Sequence, residues 1–261
     1  MPDPGRLLVV KLGGSLMRAA ELRTLLDTIA AGDTIAARPQ RTVLVPGGGP
    51  FADAVRVAQG RLGFGDPLAH RLALRAMGAF AAILAELDAR FVVAPSRTQI
   101  DAAHRTGRTP IWDPVRLEAG HPDVAESWDV TSDSLAAWLA RELGATALLL
   151  LKSVSPARRS IQAASLAAEG LVDGAFPAFA ARFMGPIRCL GPADWPRLGE
   201  ALARPEAAVG AAVRTGRGGR TARPAGKAER LGRFEVAGTE IPSERDGAPE
   251  ARLEWLSASS S

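Results

Sequence analysis

One pattern occurs twice near the N-terminus, in Leu7-Leu-Val-Val-Lys11-Leu-Gly-Gly-Ser15 and in Thr42-Val-Leu-Val-Pro46-Gly-Gly-Gly-Pro50. Each stretch is a short apolar run, typical of a buried strand, and ends in consecutive glycines at which a helical pattern begins. Beyond the carboxyl ends of parallel strands, glycines let backbone N–H groups approach an anion, and a helix N-terminus adds a favourable field. Two such loops on one sheet, the first preceded by Lys11, predict a pocket for phosphate groups.

The body of the chain alternates strand-like and helix-like segments up to about residue 205. This alternation indicates βαβ crossovers, and therefore an α/β protein with a mainly parallel sheet covered by helices on both faces. The predicted strands cover 7–11, 42–46, 90–94, 109–112, 145–152 and 187–191, and the predicted helices cover 16–31, 51–60, 67–88, 132–145 and 192–202.

The composition is that of a globular body followed by a basic tail. Of the 261 residues 47% are hydrophobic, which excludes global disorder, and the single Cys189 excludes a disulfide scaffold. Because Arg214 to Arg233 is arginine-rich without an apolar period, we assign a domain to 1–208 and a flexible, basic, low-complexity tail to 209–261. The tail carries most of the excess positive charge, so we expect no nucleic-acid partner. No apolar run is long enough to cross a membrane, and we expect a cytoplasmic protein.

Two alternative explanations of the glycines stay open. Gly47-Gly-Gly-Pro-Phe-Ala52 satisfies the dinucleotide fingerprint G-x-G-x-x-A, but about 20 residues later a loop enters a helix where an acid should end a second strand. The glycines could also serve only to make tight turns. The nucleoside-triphosphate loop G-x-x-x-x-G-K-[ST] does not occur in the sequence.

The two glycine loops, Lys11-Leu-Gly-Gly-Ser15 and Pro46-Gly-Gly-Gly49, resemble those of the amino acid kinase superfamily. A closer likeness, to the aminomethylfuranmethyl phosphate kinases of methanofuran biosynthesis, lies in 46–56, 68–77 and Ser127-Trp-Asp-Val-Thr-Ser-Asp-Ser-Leu135, and it extends over about residues 6–203. The resemblance implies a three-layer αβα sandwich that uses ATP and Mg²⁺. It also implies transfer of the γ-phosphoryl group to a small phosphomonoester, which becomes a diphosphate.

The resemblance also implies roles for individual residues. Lys11 would follow the moving phosphoryl group as a point charge, and Asp133 would orient Lys11, although an acid there also suits a helix N-terminus. His70 would contact the acceptor phosphate, although a lone helical histidine is often structural. No protein ligand to a metal is predicted. The predicted phosphate- and nucleotide-binding residues are Gly13, Gly14, Ser15, Gly47, Gly48, Gly49, Lys152 and Ser153, and the predicted acceptor-binding residues are Arg56, His70, Arg71, Thr131 and Ser132.

One segment departs from the superfamily pattern, because Lys152-Ser-Val-Ser-Pro156 stands where its members usually have T-D-x-D-G. Two alternatives to a furan phosphate kinase therefore stay open. The first is another small-molecule kinase, for uridylate, isopentenyl phosphate or an amino acid. The second is a non-catalytic nucleotide- or oxyanion-binding protein, or a regulatory subunit. We expect the chain to bind ATP and the acceptor, and to form a homo-oligomer, a dimer or larger, or a hetero-oligomer with a related subunit.

Overall fold

The computed structural model describes residues 6–35, 40–206 and 209–216, which contain eight strands and eight α-helices. The strands are β1 (Arg6–Leu12), β2 (Gln40–Pro46), β3 (Phe91–Ala94), β4 (Thr109–Trp112), β5 (Ala147–Leu151), β6 (Ser160–Gln162), β7 (Ile187–Leu190) and β8 (Ala211–Arg214). The helices are α1 (Leu22–Ile35), α2 (Gly49–Leu62), α3 (Asp66–Leu87), α4 (Arg97–Arg105), α5 (Ser132–Leu143), α6 (Ala163–Ala168), α7 (Phe176–Arg182) and α8 (Leu198–Ala203).

All eight strands belong to one sheet, in the order β3-β4-β2-β1-β5-β7-β8-β6. Every neighbouring pair is parallel except β7 and β8. Strand β1 lies between β2 and β5, and Lys11 is in register with Val45 on one side and Leu150 on the other. The carboxyl ends of these three strands therefore meet at one edge, where the strand order changes direction. Such switch points are where open parallel sheets bind ligands.

The sheet is covered on both faces, as the alternation of side chains along β1 shows. Val9 packs in one buried cluster with residues of α5 and α7, whereas Leu8 and Val10 pack in a second cluster with residues of α1 and α8. Alternate side chains of a strand point to opposite faces, so the two clusters are the two sides of the sheet. The predicted α/β fold, with a mainly parallel sheet between two helical layers, is confirmed.

Helix α3 is the one helix in the described part of the chain that is long and apolar enough, by length and composition, to cross a membrane. Its side chains Leu74, Met77 and Phe80 are buried in the core of the fold. A core helix of this kind passes the same test as a membrane span, so the finding is weak evidence for a membrane.

Two element boundaries differ from those expected from the sequence. The predicted helix 16–31 is divided, because Leu16 is buried in a separate 3₁₀ turn, Gly14–Arg18, and α1 begins only at Leu22. The tail was assigned from residue 209, yet β8 pairs with both β7 and β6, and its alternation buries Ala211 and Val213. Residues 217–261, the rest of the assigned tail, lie outside the described residues, so the flexibility expected of them stays a prediction.

Candidate functional site

The two glycine loops touch each other at the carboxyl edge of the sheet. A Cβ atom on Gly14 would lie 2.3 Å from the backbone nitrogen of Gly49, and one on Gly47 would lie 2.4 Å from that of Gly14. Real Cβ atoms do not approach this closely, so neither position has space for a side chain. Gly49 also has a positive φ of 53°, a conformation that glycine adopts without strain. The sequence needs glycine here because two backbones pass in direct contact.

The backbone N–H groups of the loops divide into two sets. Those of Gly13 and Gly47 donate to the carbonyl oxygens of Leu151 and Leu12, each over 2.9 Å, and so hold the loops on the sheet. These two amides differ from the prediction, because they are engaged within the protein and are not available to a phosphate. Gly14 and Gly49 each begin a helical turn, where N–H groups have no acceptor within their own helix. Such groups are suited to bind an anion.

Asp133 joins two lysines into a buried cluster of three charges. Lys11 and Asp133 are only 3% and 5% exposed, and Lys11 Nζ lies 2.8 Å from Asp133 Oδ1. Lys152 Nζ, at the end of β5, donates to both carboxylate oxygens of Asp133 over 2.7 Å. Asp133 lies in the first turn of α5. One carboxylate therefore holds two ammonium groups, and the cluster has a net positive charge next to the glycine loops.

Burial and mutual attraction shift the pKa values of this cluster in different directions. Burial lowers the pKa of Lys11 to about 8, although the charge of Asp133 opposes the shift. Burial also disfavours the charged form of Lys152, but Asp133 outweighs it and the net pKa of Lys152 is raised. The two ammonium groups overcome the burial of Asp133 and lower its pKa to about 2. Asp133 is thus an anion at neutral pH. Of the three groups in the cluster, Lys11 has the pKa closest to neutral pH.

A cavity of about 280 Å³ opens beside this cluster. Among the predicted residues, its wall contains Lys11, Gly14, Ser15, Gly48, Gly49, Arg56, His70, Thr131, Ser132 and Asp133. Five predicted residues lie outside the wall. Lys152 is paired with Asp133 over 2.7 Å, Ser153 Oγ is 2.8 Å from Ser15 Oγ, and Arg71 is paired with Glu126 over 2.8 Å. Gly13 and Gly47 are the other two.

Another part of the cavity wall combines a histidine with a stacked arginine. His70 is buried, its Nδ1 lies 3.1 Å from the carbonyl oxygen of Ser127, and its Nε2 has no partner among the described residues. Burial lowers the pKa of His70, so the ring is neutral at physiological pH. The guanidinium of Arg56 lies 4.1 Å above the ring of Trp128, whose Nε1 donates to Gln59 over 2.6 Å. This wall thus offers a histidine nitrogen and a cation on an aromatic face.

Comparison with known proteins connects this geometry to kinases. The chain is 29% identical over 150 residues to a [5-(aminomethyl)furan-3-yl]methyl phosphate kinase from Methanocaldococcus jannaschii, an alignment that includes 56% of this chain. The chain spans 65% of the length of that relative. No protein-family model matches the chain.

Solved structures share the fold at low sequence identity. Uridylate kinase from Archaeoglobus fulgidus superposes with a TM-score of 0.60 at 17% identity, over 79% of this chain and 99% of its own. UMP kinase from Ureaplasma parvum superposes with a TM-score of 0.52 at 15% identity, over 72% of this chain and 91% of its own. Aspartate kinase from Synechocystis superposes with a TM-score of 0.51 at 16% identity, over 70% of this chain and 37% of its own. The chain has the amino acid kinase fold. The resemblance expected from the two glycine loops is therefore confirmed in sequence and in fold.

The acids of this amino acid kinase fold do not form a cage for Mg²⁺. Within 6–35, 40–206 and 209–216, no group of three or more His, Cys, Asp or Glu side chains could hold a metal ion. Both oxygens of Asp133 contact ammonium groups, and Asp53, at the rim of the cavity, is exposed and 3.5 Å from Arg56. A metal held by protein carboxylates does not fit these residues. Mg²⁺ commonly reaches such sites on the phosphates of its nucleotide, with several waters retained.

Sequence reasoning missed several residues that the fold brings to the site. Asp173, between α6 and α7, accepts hydrogen bonds from Thr131 and Ser134 at the beginning of α5. The only local signal was an Asp-Gly pair between two helical segments, which is also common in ordinary turns. Arg18 and Met77, which line the cavity, were not assigned to it either.

We expect anion binding in the cavity to weaken as the pH rises through about 8, because Lys11 loses its proton there. Sulfate is a suitable probe, since its charge is constant in this range. Its affinity, measured by calorimetry, should fall between about pH 7 and pH 9.5. In Lys11→Met, which keeps a long unbranched side chain without the charge, the affinity should be low at both pH values. Equal affinity of the unchanged protein at both pH values would contradict the assignment.

Proposed function

We propose that the chain is an ATP-dependent phosphotransferase whose acceptor is a small phosphomonoester. The observation that carries the proposal is the convergence, on one cavity, of two glycine loops with the ammonium of Lys11, itself linked through Asp133 to Lys152. In phosphoryl transfer, the protein contributes mainly by positioning the two substrates and by neutralising the charge of their phosphate groups. Backbone N–H groups and ammonium groups supply both.

The donor phosphates are assigned to the glycine loops. N–H groups at Gly14, Gly48 and Gly49, beside the beginning of a helix, suit the terminal phosphates of ATP. Lys11 would then neutralise the charge on the transferring phosphoryl group, and Lys152 would fix Asp133 and add a second positive charge behind it. This second charge supports activity despite the missing T-D-x-D-G acids.

The acceptor phosphate is assigned to the part of the wall that contains His70 and Arg56. Arg56 and Ser132 line the same cavity and provide a charged and a neutral donor for phosphate oxygens, and His70 Nε2 adds a hydrogen-bond acceptor. Thr131 also lines the cavity, but its hydroxyl group donates its proton to Asp173. An acceptor phosphate is already nucleophilic near neutral pH, so the reaction needs no general base. Nδ1 of His70 lies 3.1 Å from the carbonyl oxygen of Ser127, which can only accept, so the proton of the neutral ring is on Nδ1. Nε2 would therefore accept a hydrogen bond from the bound acceptor.

We further propose that the acceptor is [5-(aminomethyl)furan-3-yl]methyl phosphate, which forms its diphosphate. The name of the methanogen relative supports this acceptor. So do the cavity walls, since Leu74 and Met77 of α3 and the ring of Trp128 offer apolar and aromatic surface for a small flat ring.

The proposed acceptor is tested with a panel assayed by ADP release with Mg²⁺–ATP as donor. The panel contains the furan phosphate, uridylate, isopentenyl phosphate and aspartate. We expect kcat/KM for the furan phosphate to exceed that of each other acceptor by about tenfold or more, the discrimination that shape and a few polar contacts give. A higher value for uridylate or aspartate would reject the furan acceptor but keep the phosphotransferase. Tight ATP binding with no turnover of any acceptor would overturn the phosphotransferase itself.

A further inference from the structure

Asp173 is the residue that closes the N-terminus of α5, although it lies about 40 positions further along the chain. Its Oδ2 accepts from the backbone N–H of Thr131 over 2.9 Å and from that of Ser134 over 3.0 Å. The hydroxyl groups of the same two residues also donate to the carboxylate, that of Thr131 over 2.8 Å. Phe176, at the beginning of α7, donates the fifth hydrogen bond over 2.9 Å.

Helix α5 depends on this distant carboxylate because it has no side-chain cap of its own. Thr131 is in the N-cap position, but its side chain makes no capping hydrogen bond to the helix and bonds Asp173 instead. Thr131 and Ser134 flank Asp133 on both sides in the sequence. By fixing these two residues, Asp173 fixes the direction in which Asp133 leaves the helix.

The chemistry of the five partners requires an acceptor without protons. All five groups donate, so an ionised carboxylate can accept from each of them. An asparagine would place its NH₂ group, itself a donor, next to some of these donors. Burial, aided by the nearby charge of Asp133, raises the pKa of Asp173. The fold therefore keeps this carboxylate ionised at a cost in free energy.

We infer that Asp173 is a positioning residue for the Lys11–Asp133–Lys152 cluster, acting through the first turn of α5. This inference rests on the proposed phosphotransfer, because it assigns Asp173 to the alignment of the ammonium groups with the transferring phosphate. Asp173 does not line the cavity, whereas Thr131, Ser132 and Asp133 do. A shift of α5 would therefore move three wall residues together.

The test is Asp173→Asn, with the Lys11 side chain followed by NMR in protein that carries ¹³C-labelled lysine. The chain has only three lysines, so the Lys11 signal is readily assigned. We expect the pKa of Lys11 to fall by about half a unit or more, since misplacement of Asp133 removes an interaction that favours the charged amine. We also expect kcat to fall about tenfold or more, as for a positioning defect.

Asp113→Asn is the matched control. Asp113 is also partly buried, its pKa is also raised by burial, and its carboxylate caps the 3₁₀ helix Pro114–Ala119 through the N–H of Val115. This variant should lose less thermal stability, because Asp113 caps its helix through one backbone N–H whereas Asp173 accepts five hydrogen bonds, and it should leave kcat and the pKa of Lys11 unchanged. If Asp173→Asn also leaves kcat and the pKa of Lys11 unchanged, the inference is overturned.

Ser134→Ala is the second variant, for the case that Asp173→Asn does not fold. It removes one hydrogen bond to Asp173 from a residue outside the cavity wall, and it should shift the pKa of Lys11 in the same direction by a smaller amount. An unchanged pKa would overturn the inference. The NMR measurement needs neither ATP nor acceptor, so it decides the role of Asp173 even if the protein turns over no acceptor and the proposed function fails.

Discussion

Replacement of Lys11 by Met is expected to lower kcat by about a hundredfold or more, the usual cost of one lost charge contact in a transition state. The ammonium of Lys11 lines the cavity beside Gly14 and Gly49, where the transferring phosphate is assigned. Methionine keeps the length and much of the packing of the side chain, and Asp133 retains Lys152 as a partner. The fold should therefore persist, and the loss should appear in kcat measured with the acceptor that the panel identifies.

Two further variants separate charge from geometry at this position. Lys11→Arg keeps a positive charge but places a larger, planar group in a site where only 3% of Lys11 is exposed, so it should not restore turnover. Arg75→Met removes a surface charge from a pair with Glu118 and should leave kcat within about twofold of the unchanged protein. A loss of tenfold or less in Lys11→Met would contradict the role assigned to this ammonium.

The central part of the site could be predicted from the sequence because its signals are local. An apolar run followed by glycines identifies the end of a buried strand, and parallel strands bring such ends to one edge. Lys11 and the contact between the two loops follow from this rule. The same rule does not predict that the amides of Gly13 and Gly47 are unavailable to a phosphate. Their hydrogen bonds to β5 and β1 depend on the order of the strands in the sheet.

The features that were missed depend on contacts between distant segments. Asp173 resembles any acid in a turn until α7 is placed against α5, and only then do its five donors become visible. Strand β8 was assigned to the tail because its last residue, Arg214, begins an arginine-rich stretch without an apolar period. Its position is set by pairing with β7 and β6, which no local pattern reports.

The lysine cluster explains why Lys152 is tolerated at the end of the most hydrophobic strand. A buried ammonium without a partner is strongly unfavourable, and here both oxygens of Asp133 accept from it. One carboxylate compensates two cations, so each charge depends on the other two. The carboxylate is the member whose loss should affect the protein most.

Asp133→Asn is accordingly expected to destabilise the protein by about 3–5 kcal/mol, the range found when one partner of a buried ion pair is removed. Lys11 and Lys152 would keep their burial and their mutual repulsion and lose the anion that offsets both. The pKa of Lys11 should then fall further below about 8, which lowers the charged fraction of its amine at neutral pH and with it the turnover. Urea denaturation and kcat measure the two effects.

The double variant Asp133→Asn, Lys152→Met distinguishes a charge imbalance from a general packing defect. Removing one of the two uncompensated ammonium groups should restore a large part of the lost free energy of unfolding, because the repulsion between the lysines disappears. Turnover should stay low, since Lys11 still lacks the carboxylate that orients it. If Asp133→Asn costs less than about 1 kcal/mol, or if the second substitution adds to the destabilisation, the three groups do not act as one electrostatic unit.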